Sequence, residues 1–247
     1  MTSTFPAGTT PGAGPTPAVQ SLVHVVFGII RRPRPTFQHV VSHPRWGLLL
    51  LLTTLVSAGA GVALMETAVG RQALVDQWER TAVAFGQPVD DEGYGRLVEL
   101  SDRGSAGYAL VSALMSGPAL TVGVAALLMV AFRREASFRQ MMAVVTSAGV
   151  ILALRQVVAA PVSYLHESTT SATSLGSWFS ALDEASPVAR FLGALDIFVI
   201  WWAIVLAIGV AVLCQRRIRT MATVFVGVYA ALALLLAIAM AISGGSA

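Results

Sequence analysis

Five apolar stretches, each close to the length that crosses a bilayer, dominate this sequence: residues 46–67, 108–132, 137–160, 190–213 and 220–242. A hydrocarbon core of about 30 Å takes about 20 helical residues at about 1.5 Å of rise each. Backbone N–H and C=O groups find no water there, so such stretches cross as helices. Residues 46–67 fit that length easily. Residues 108–132 carry Ser116-Gly117-Pro118 near the middle, which predicts a kink. Arg155 and Gln156 interrupt 137–160, Asp196 lies inside 190–213, and 220–242 read as wholly apolar. Trp46, Tyr108 and Tyr164 fall at expected span ends, where amphipathic rings rest at the membrane interface. Only 12% of the residues are charged and 55% are hydrophobic. Soluble domains carry about 25% charged residues, so this chain lacks the polar surface to cover itself in water. The expected fold is all-α: a polytopic membrane protein with five transmembrane helices in one domain over 46–243, plus short interfacial helices.

The arginines orient the bundle. Every one of the 16 basic residues is Arg. Arg31, Arg32, Arg34 and Arg45 precede the first span without an acidic residue. Arg133, Arg134 and Arg139 face a lone Glu135 in the second connection of that side, and Arg216, Arg217 and Arg219 fill the third. Asp and Glu gather in the 68–107 loop on the other side, and the 161–189 loop holds no basic residue before Arg190. The positive-inside rule then places the N-terminus in the cytoplasm and the C-terminus outside. The expected location is a bacterial cytoplasmic membrane, crossed several times.

Outside the spans, residues 1–15 are Pro-, Gly- and Thr-rich and read as a disordered tail. They lack the basic start and short apolar core of a signal peptide. Residues 16–45 form an amphipathic segment. Thr16-Pro17 suits a helix start. Val19, Leu22, Val23, Val26, Ile29 and Ile30 form a helical stripe, and Arg31, Arg32 and Pro33 end it. This helix lies on the bilayer surface or packs on the protein's own inner face. On the other side, Val69, Leu74, Trp78, Ala82 and Phe85 share a helical face within 67–85, a second surface-helix expectation. Residues 94–102 and 176–184 could each add a short helix.

Arg155 and Asp196 are charges set well inside the apolar spans. Arg155 precedes Pro161 by six residues, and Asp196 follows Arg190 by six. At about 1.5 Å per residue, both sit about 9 Å below the outer boundary, on consecutive antiparallel spans. Each charge costs about 2.5–3.5 kcal/mol near a span's centre, and mutual neutralisation offsets part of it. The pair is either a structural clamp between the helices or part of a polar pathway.

Catalytic constellations are missing from the sequence. His166-Glu167 continues into Ser168-Thr169-Thr170, so no HExxH motif forms, and His24, His39, His43 and His166 all lie outside the spans. No P-loop or GxGxxG fingerprint occurs. The expectation is a non-enzyme with no cofactor and no metal site. The dispersed arginines give no nucleic-acid footprint. The only cysteine, Cys214, excludes an internal disulfide and reads as a plain helix residue. Gly59, Gly61, Gly117 and Gly209 read as close helix contacts.

Two short motifs carry a family resemblance. Arg32-Pro33-Arg34-Pro35-Thr36-Phe37, followed by Pro44 and a Leu-rich span, resembles the start of bacterial members of the Yip family, the Ypt-interacting protein domain. Leu195-Asp196-Ile197-Phe198 with Trp201 is similar to that family's Leu-Asp-(Leu/Ile)-Phe…Trp signature in the fourth span. The likeness covers roughly residues 20–243. It implies an integral membrane protein of a family with no established enzymatic activity. Eukaryotic members bind small GTPases of the Rab/Ypt type. Their Asp-Leu-Tyr-Gly-Pro signature is here Asp196-Ile197-Phe198-Val199-Ile200, without the Gly-Pro, so that role is not carried over. The resulting expectation is a membrane organiser that binds lipids, a protein partner or a second copy of itself, with Arg31, Arg32, Arg34 and Arg45 as contact residues. The alternative is a small-solute transporter with a polar site near Arg155 and Asp196.

Overall fold

The computed structural model describes residues 17–84, 87, 89–133, 135–166, 175, 192–193 and 195–243. The expected tail over 1–15, the short helix over 176–184, Phe85 and Arg190 lie outside these residues. The described residues form nine helices in chain order. They are α1 (Pro17–Arg31), α2 (Pro33–Ser42), α3 (Gly47–Met65), α4 (Ala68–Ala84), α5 (Asp91–Phe132), α6 (Phe138–Ala148), α7 (Val150–His166), α8 (Ile197–Leu213) and α9 (Ile218–Ser243).

Four stretches are long and apolar enough to cross a membrane: Gly47–Met65, Asp91–Phe132, Phe138–Ala159 and Ile218–Leu235. The fifth apolar helix, α8, has 17 residues. That is about 25 Å, at the lower limit for a crossing. Expected span 190–213 is therefore shorter as a helix. Asp196 stands at its N-cap rather than within it, because its carboxylate ends the ladder by accepting from Phe198 N–H at 2.8 Å and Val199 N–H at 3.3 Å.

The α6–α7 span forms the centre. Of its apolar window 61% is buried, against 17% for α3 and 6% for α5 and α9. α6 starts on a capping box, with Ser137 Oγ accepting from Gln140 N–H at 3.3 Å and Gln140 Oε1 accepting from Ser137 N–H at 3.2 Å. The division between α6 and α7 falls at Gly149. Hydrogen bonds still cross it, from Gly149 N–H to Val145 O at 2.9 Å and from Ala153 N–H to Gly149 O at 3.0 Å. The helix itself runs on past Pro161 to His166, while the membrane-length apolar stretch is Phe138–Ala159. Around this axis α3 packs on α5 and α7, α8 packs on α6 and α7, and α9 packs on α8. Met115, Leu127 and Val130 of α5 and Leu232 and Leu235 of α9 point outward and exposed. Apolar outward faces around a buried axis are the reverse of a water-soluble bundle and suit a lipid solvent.

α5 is longer than expected. Its 42 residues measure about 63 Å, twice the bilayer core. Asp90 caps it by accepting from Gly93 N–H at 2.8 Å. Residues 94–102 are thus the first turns of this helix and no separate element. α5 carries Pro118 inside it as one helix. α4 folds against the projecting part of α5, burying Leu74 and Val75. Trp78 meets Tyr108 edge-to-face at 5.6 Å, and Arg71 pairs with Asp102 at 3.2 Å. Tyr108 is thus also a partner of α4.

At the arginine-rich end, Pro33 ends α1 and also starts α2. Proline at a first helical position loses no hydrogen bond that the helix would have made. Thr36 Oγ1 donates back to Arg32 O at 2.9 Å. The turn folds α1 and α2 onto the bundle and buries Ile29, Thr36, Phe37 and Val40. Of the two readings of this segment, packing on the protein's own end accounts for these residues. Val23 and Phe27, on the other face of α1, stay exposed.

Gly209 of α8 marks the tightest contact. A Cβ there would lie 2.6 Å from Val144 Cγ1 and 2.8 Å from Phe37 Cε1. Gly117 and Gly61 have only ordinary neighbours at 3.8 and 3.7 Å, and Gly59 has none within 4 Å. Close contact is thus the reason for glycine at Gly209 and not at the other three. Gly209→Ala is expected to destabilise the protein by about 1–3 kcal/mol, because α8 must shift from α2 and α6. Gly59→Ala, read by the same thermal unfolding in nanodiscs, is the control and leaves packing unchanged.

Candidate functional site

The site is built where α7 passes the start of α8. Asp196 sits at the α8 N-terminus, where the helix dipole and two free N–H groups favour a carboxylate. One carboxylate oxygen, Oδ1, serves that cap. The other, Oδ2, accepts from Arg155 Nε at 2.7 Å. Asp196 N–H donates to Tyr229 Oη of α9 at 2.9 Å. The Asp196 side chain is 10% exposed and that of Arg155 29%. One residue thus ties α7, α8 and α9 together. Tyr229 corrects the reading of the fifth span as wholly apolar. It lies in a run of Val, Ala and Leu where a single phenol is easily passed over, and only the three-dimensional contact gives it a task.

Beside the pair lies a cavity of about 580 Å³ walled by α3, α5, α6–α7 and α8. Arg155 belongs to its wall and Asp196 does not. The walls also hold Thr54, Ser57, Ser116, Thr146, Gln156 and Trp202. Thr146 Oγ1 and Trp202 Nε1 are buried without a hydrogen-bond partner. Of these six, the sequence singles out only Ser116 and Gln156, and for other reasons, because isolated Ser and Thr in apolar spans are individually unremarkable.

The other expected contact residues gather elsewhere. Arg31, Arg32, Arg34 and Arg45 are all exposed at the α1–α2 end. Arg32 is also the N-cap residue of α2, through its backbone only. Thr36 and Phe37 of the same motif are buried, while Phe198 and Trp201 are half-buried against the core and face each other at 6.1 Å. The two motif regions therefore grip one helix from both ends: Phe37 abuts Gly209 near the close of α8, and Asp196 caps its start.

The arginine-rich end is cross-tied. Arg139 Nε donates to Pro44 O at 3.2 Å, and Arg216 binds Glu135 through 2.6 and 3.3 Å contacts. The Arg216 guanidinium holds the Glu135 carboxyl below its ordinary value. Nearby Cys214 is buried, and that burial pushes its thiol up to about 11. It is a neutral, poorly nucleophilic packing residue. No group of three or more His, Cys, Asp or Glu among the described residues could hold a metal ion.

Membrane-length apolar helices around a buried axis, with one ion pair inside, define a polytopic α-helical membrane protein. The Yip1 domain family model matches residues 27–242, nearly the whole chain. The protein belongs to the Yip1 domain family. No curated protein and no solved structure matches it.

Proposed function

We propose that this Yip-domain protein is a non-enzymatic membrane organiser of a bacterial cytoplasmic membrane, whose arginine-rich end faces the cytoplasm and docks on anionic lipid. The observation that carries this reading is the pairing of exposed apolar and basic groups on one end. Val23 and Phe27 project from the unpacked face of α1, next to exposed Arg31, Arg32, Arg34 and Arg45. Apolar residues that enter the acyl boundary beside arginines that meet headgroups are the composition of an interfacial helix. Each arginine near an anionic surface is worth about 1 kcal/mol. Solute transport is a second reading, favoured by the cavity beside Arg155. Against it, both Asp196 oxygens are engaged in a cap and an ion pair.

The test uses the full chain. Phe27→Cys is labelled with a polarity-sensitive dye, which the buried, high-pKa Cys214 leaves to residue 27. In phosphatidylglycerol nanodiscs the emission is expected to shift to the blue relative to phosphatidylcholine. Raising salt from about 0.05 to about 0.5 M should shrink that shift, since the Debye length falls several-fold. Identical emission in both lipids would sink the docking reading.

A further inference from the structure

The cavity beside Arg155 presents a problem that its walls do not solve. The helices around it are α3, α5 and α6–α7, long and apolar enough to cross a membrane, and the shorter apolar α8. Yet Thr54 and Ser57 of α3, Ser116 of α5, Thr146 of α6, Gln156 of α7 and Trp202 of α8 all converge on it. Two of them, Thr146 Oγ1 and Trp202 Nε1, are buried without a hydrogen-bond partner among the described residues. In hydrocarbon, unsatisfied polar groups are costly, so acyl chains alone are a poor filling. Two other hydroxyls of the same wall, Thr53 and Thr121, donate to backbone carbonyls of their own helices at 3.0 and 2.9 Å. Two buried unsatisfied groups, among polar side chains contributed by five separate elements, mark a space shaped for something polar.

The chemistry of the occupant follows from the wall. Trp202 Nε1 can only donate, the hydroxyls can donate or accept, and Gln156 does both. The occupant needs carbonyl or ether oxygens and at least one hydroxyl. The one charge in the wall, Arg155, is already neutralised by Asp196 at 2.7 Å, so a net charge on the occupant is not called for. The volume of about 580 Å³ falls within the ~300–1,000 Å³ of small-molecule sites. At about 30 Å³ per water-sized unit it holds about twenty non-hydrogen atoms.

Its route of entry is lateral. α5 packs on α3 and α6 but has no comparable packing on α7. Along that seam Ser116 and Leu120 of α5 and Gln156 of α7 are exposed and also line the cavity. The seam lies at hydrocarbon depth, so what enters through it comes from the bilayer. We propose that this cavity binds an uncharged lipid bearing hydroxyl and carbonyl oxygens, of the acylglycerol type, entering between α5 and α7. This inference rests on the membrane placement of the helices and not on docking of the arginine-rich end, so either reading can fail alone.

A monoacylglycerol with a diazirine in its acyl chain tests it on the full protein in phosphatidylcholine nanodiscs. Irradiation should label peptides of α5, α7 and α8, and unlabelled monoolein should compete. Gly117→Leu fills the cavity from a position whose Cβ meets nothing closer than Thr54 Oγ1 at 3.8 Å, and is expected to cut labelling at least tenfold. Gly123→Leu, at an exposed α5 position with no neighbour within 4 Å of its Cβ, leaves labelling unchanged. Should Gly117→Leu fail to fold, Thr54→Val with Ser57→Ala keeps the space, removes two hydroxyls and should weaken monoolein competition about tenfold. Equal labelling in the cavity-filled, folded variant overturns the proposal. So does equal cavity labelling by diazirine forms of phosphatidylglycerol or a free fatty acid, since charge would then be irrelevant. Competition by water-soluble glycerol as effective as that by monoolein would also overturn it and point to a solute.

Discussion

Phe37→Ala is expected to lower the stability of the folded protein by about 3–5 kcal/mol, as for other fully buried aromatic residues. The Phe37 side chain is 0% exposed and fills the space above Gly209 that no side chain on α8 could occupy. Losing it removes the main attachment of α2 to α8 and leaves a cavity that a helix clamped on two sides cannot collapse. Thermal unfolding in nanodiscs should show the loss, and protease should reach residues 17–42 sooner. The Gly209 contact gives an internal control. Gly209→Ala should cost less in the Phe37→Ala background than alone, because the new methyl enters vacated space. Strictly additive effects would mean that the two residues do not touch in the membrane.

Arg155→Ala is the second large effect. It leaves the Asp196 carboxylate, whose side chain is 10% exposed, without its partner at 2.7 Å. Removing one member of a buried pair costs about 3–5 kcal/mol. The 29% exposure of Arg155 lowers the expectation to about 2–4 kcal/mol. The double change Arg155→Ala, Asp196→Ala should be less damaging than Arg155→Ala alone, although it also removes the α8 cap, worth about 1 kcal/mol. Asp196→Asn in place of Asp196→Ala keeps an accepting oxygen for Phe198 and Val199 and should recover more. A cycle with no coupling between the two positions would show that the contact contributes nothing to stability.

The stability of this protein and its motifs converge on α8. Its N-terminus is held by Asp196, its later turns by Phe37 and Val144, and its flank by α9 through Tyr229. A helix with only 17 apolar residues is short for a bilayer, and its capped, ion-paired start lets a carboxylate serve where the hydrocarbon run ends. This gives a physical reason for the Leu195-Asp196-Ile197-Phe198 pattern: the acid starts the helix and neutralises a neighbour in one step.

The membrane, the helices and the side on which arginines gather follow from the chain alone, because partition into hydrocarbon and helical periodicity depend on local residues. The meeting of Arg155 with Asp196 could also be anticipated, since two antiparallel spans joined by one loop put equal depths side by side. Other features had no local signature. Whether Ile29 and Phe37 face lipid or protein depends on what surface α8 and α6 present to them. The extension of α5 outside the bilayer, Tyr229 as a partner of Asp196, and the polar cavity beside it each arise from residues far apart in sequence. Their positions were decided by packing, the one force here that acts between helices without regard to the order in which the chain makes them.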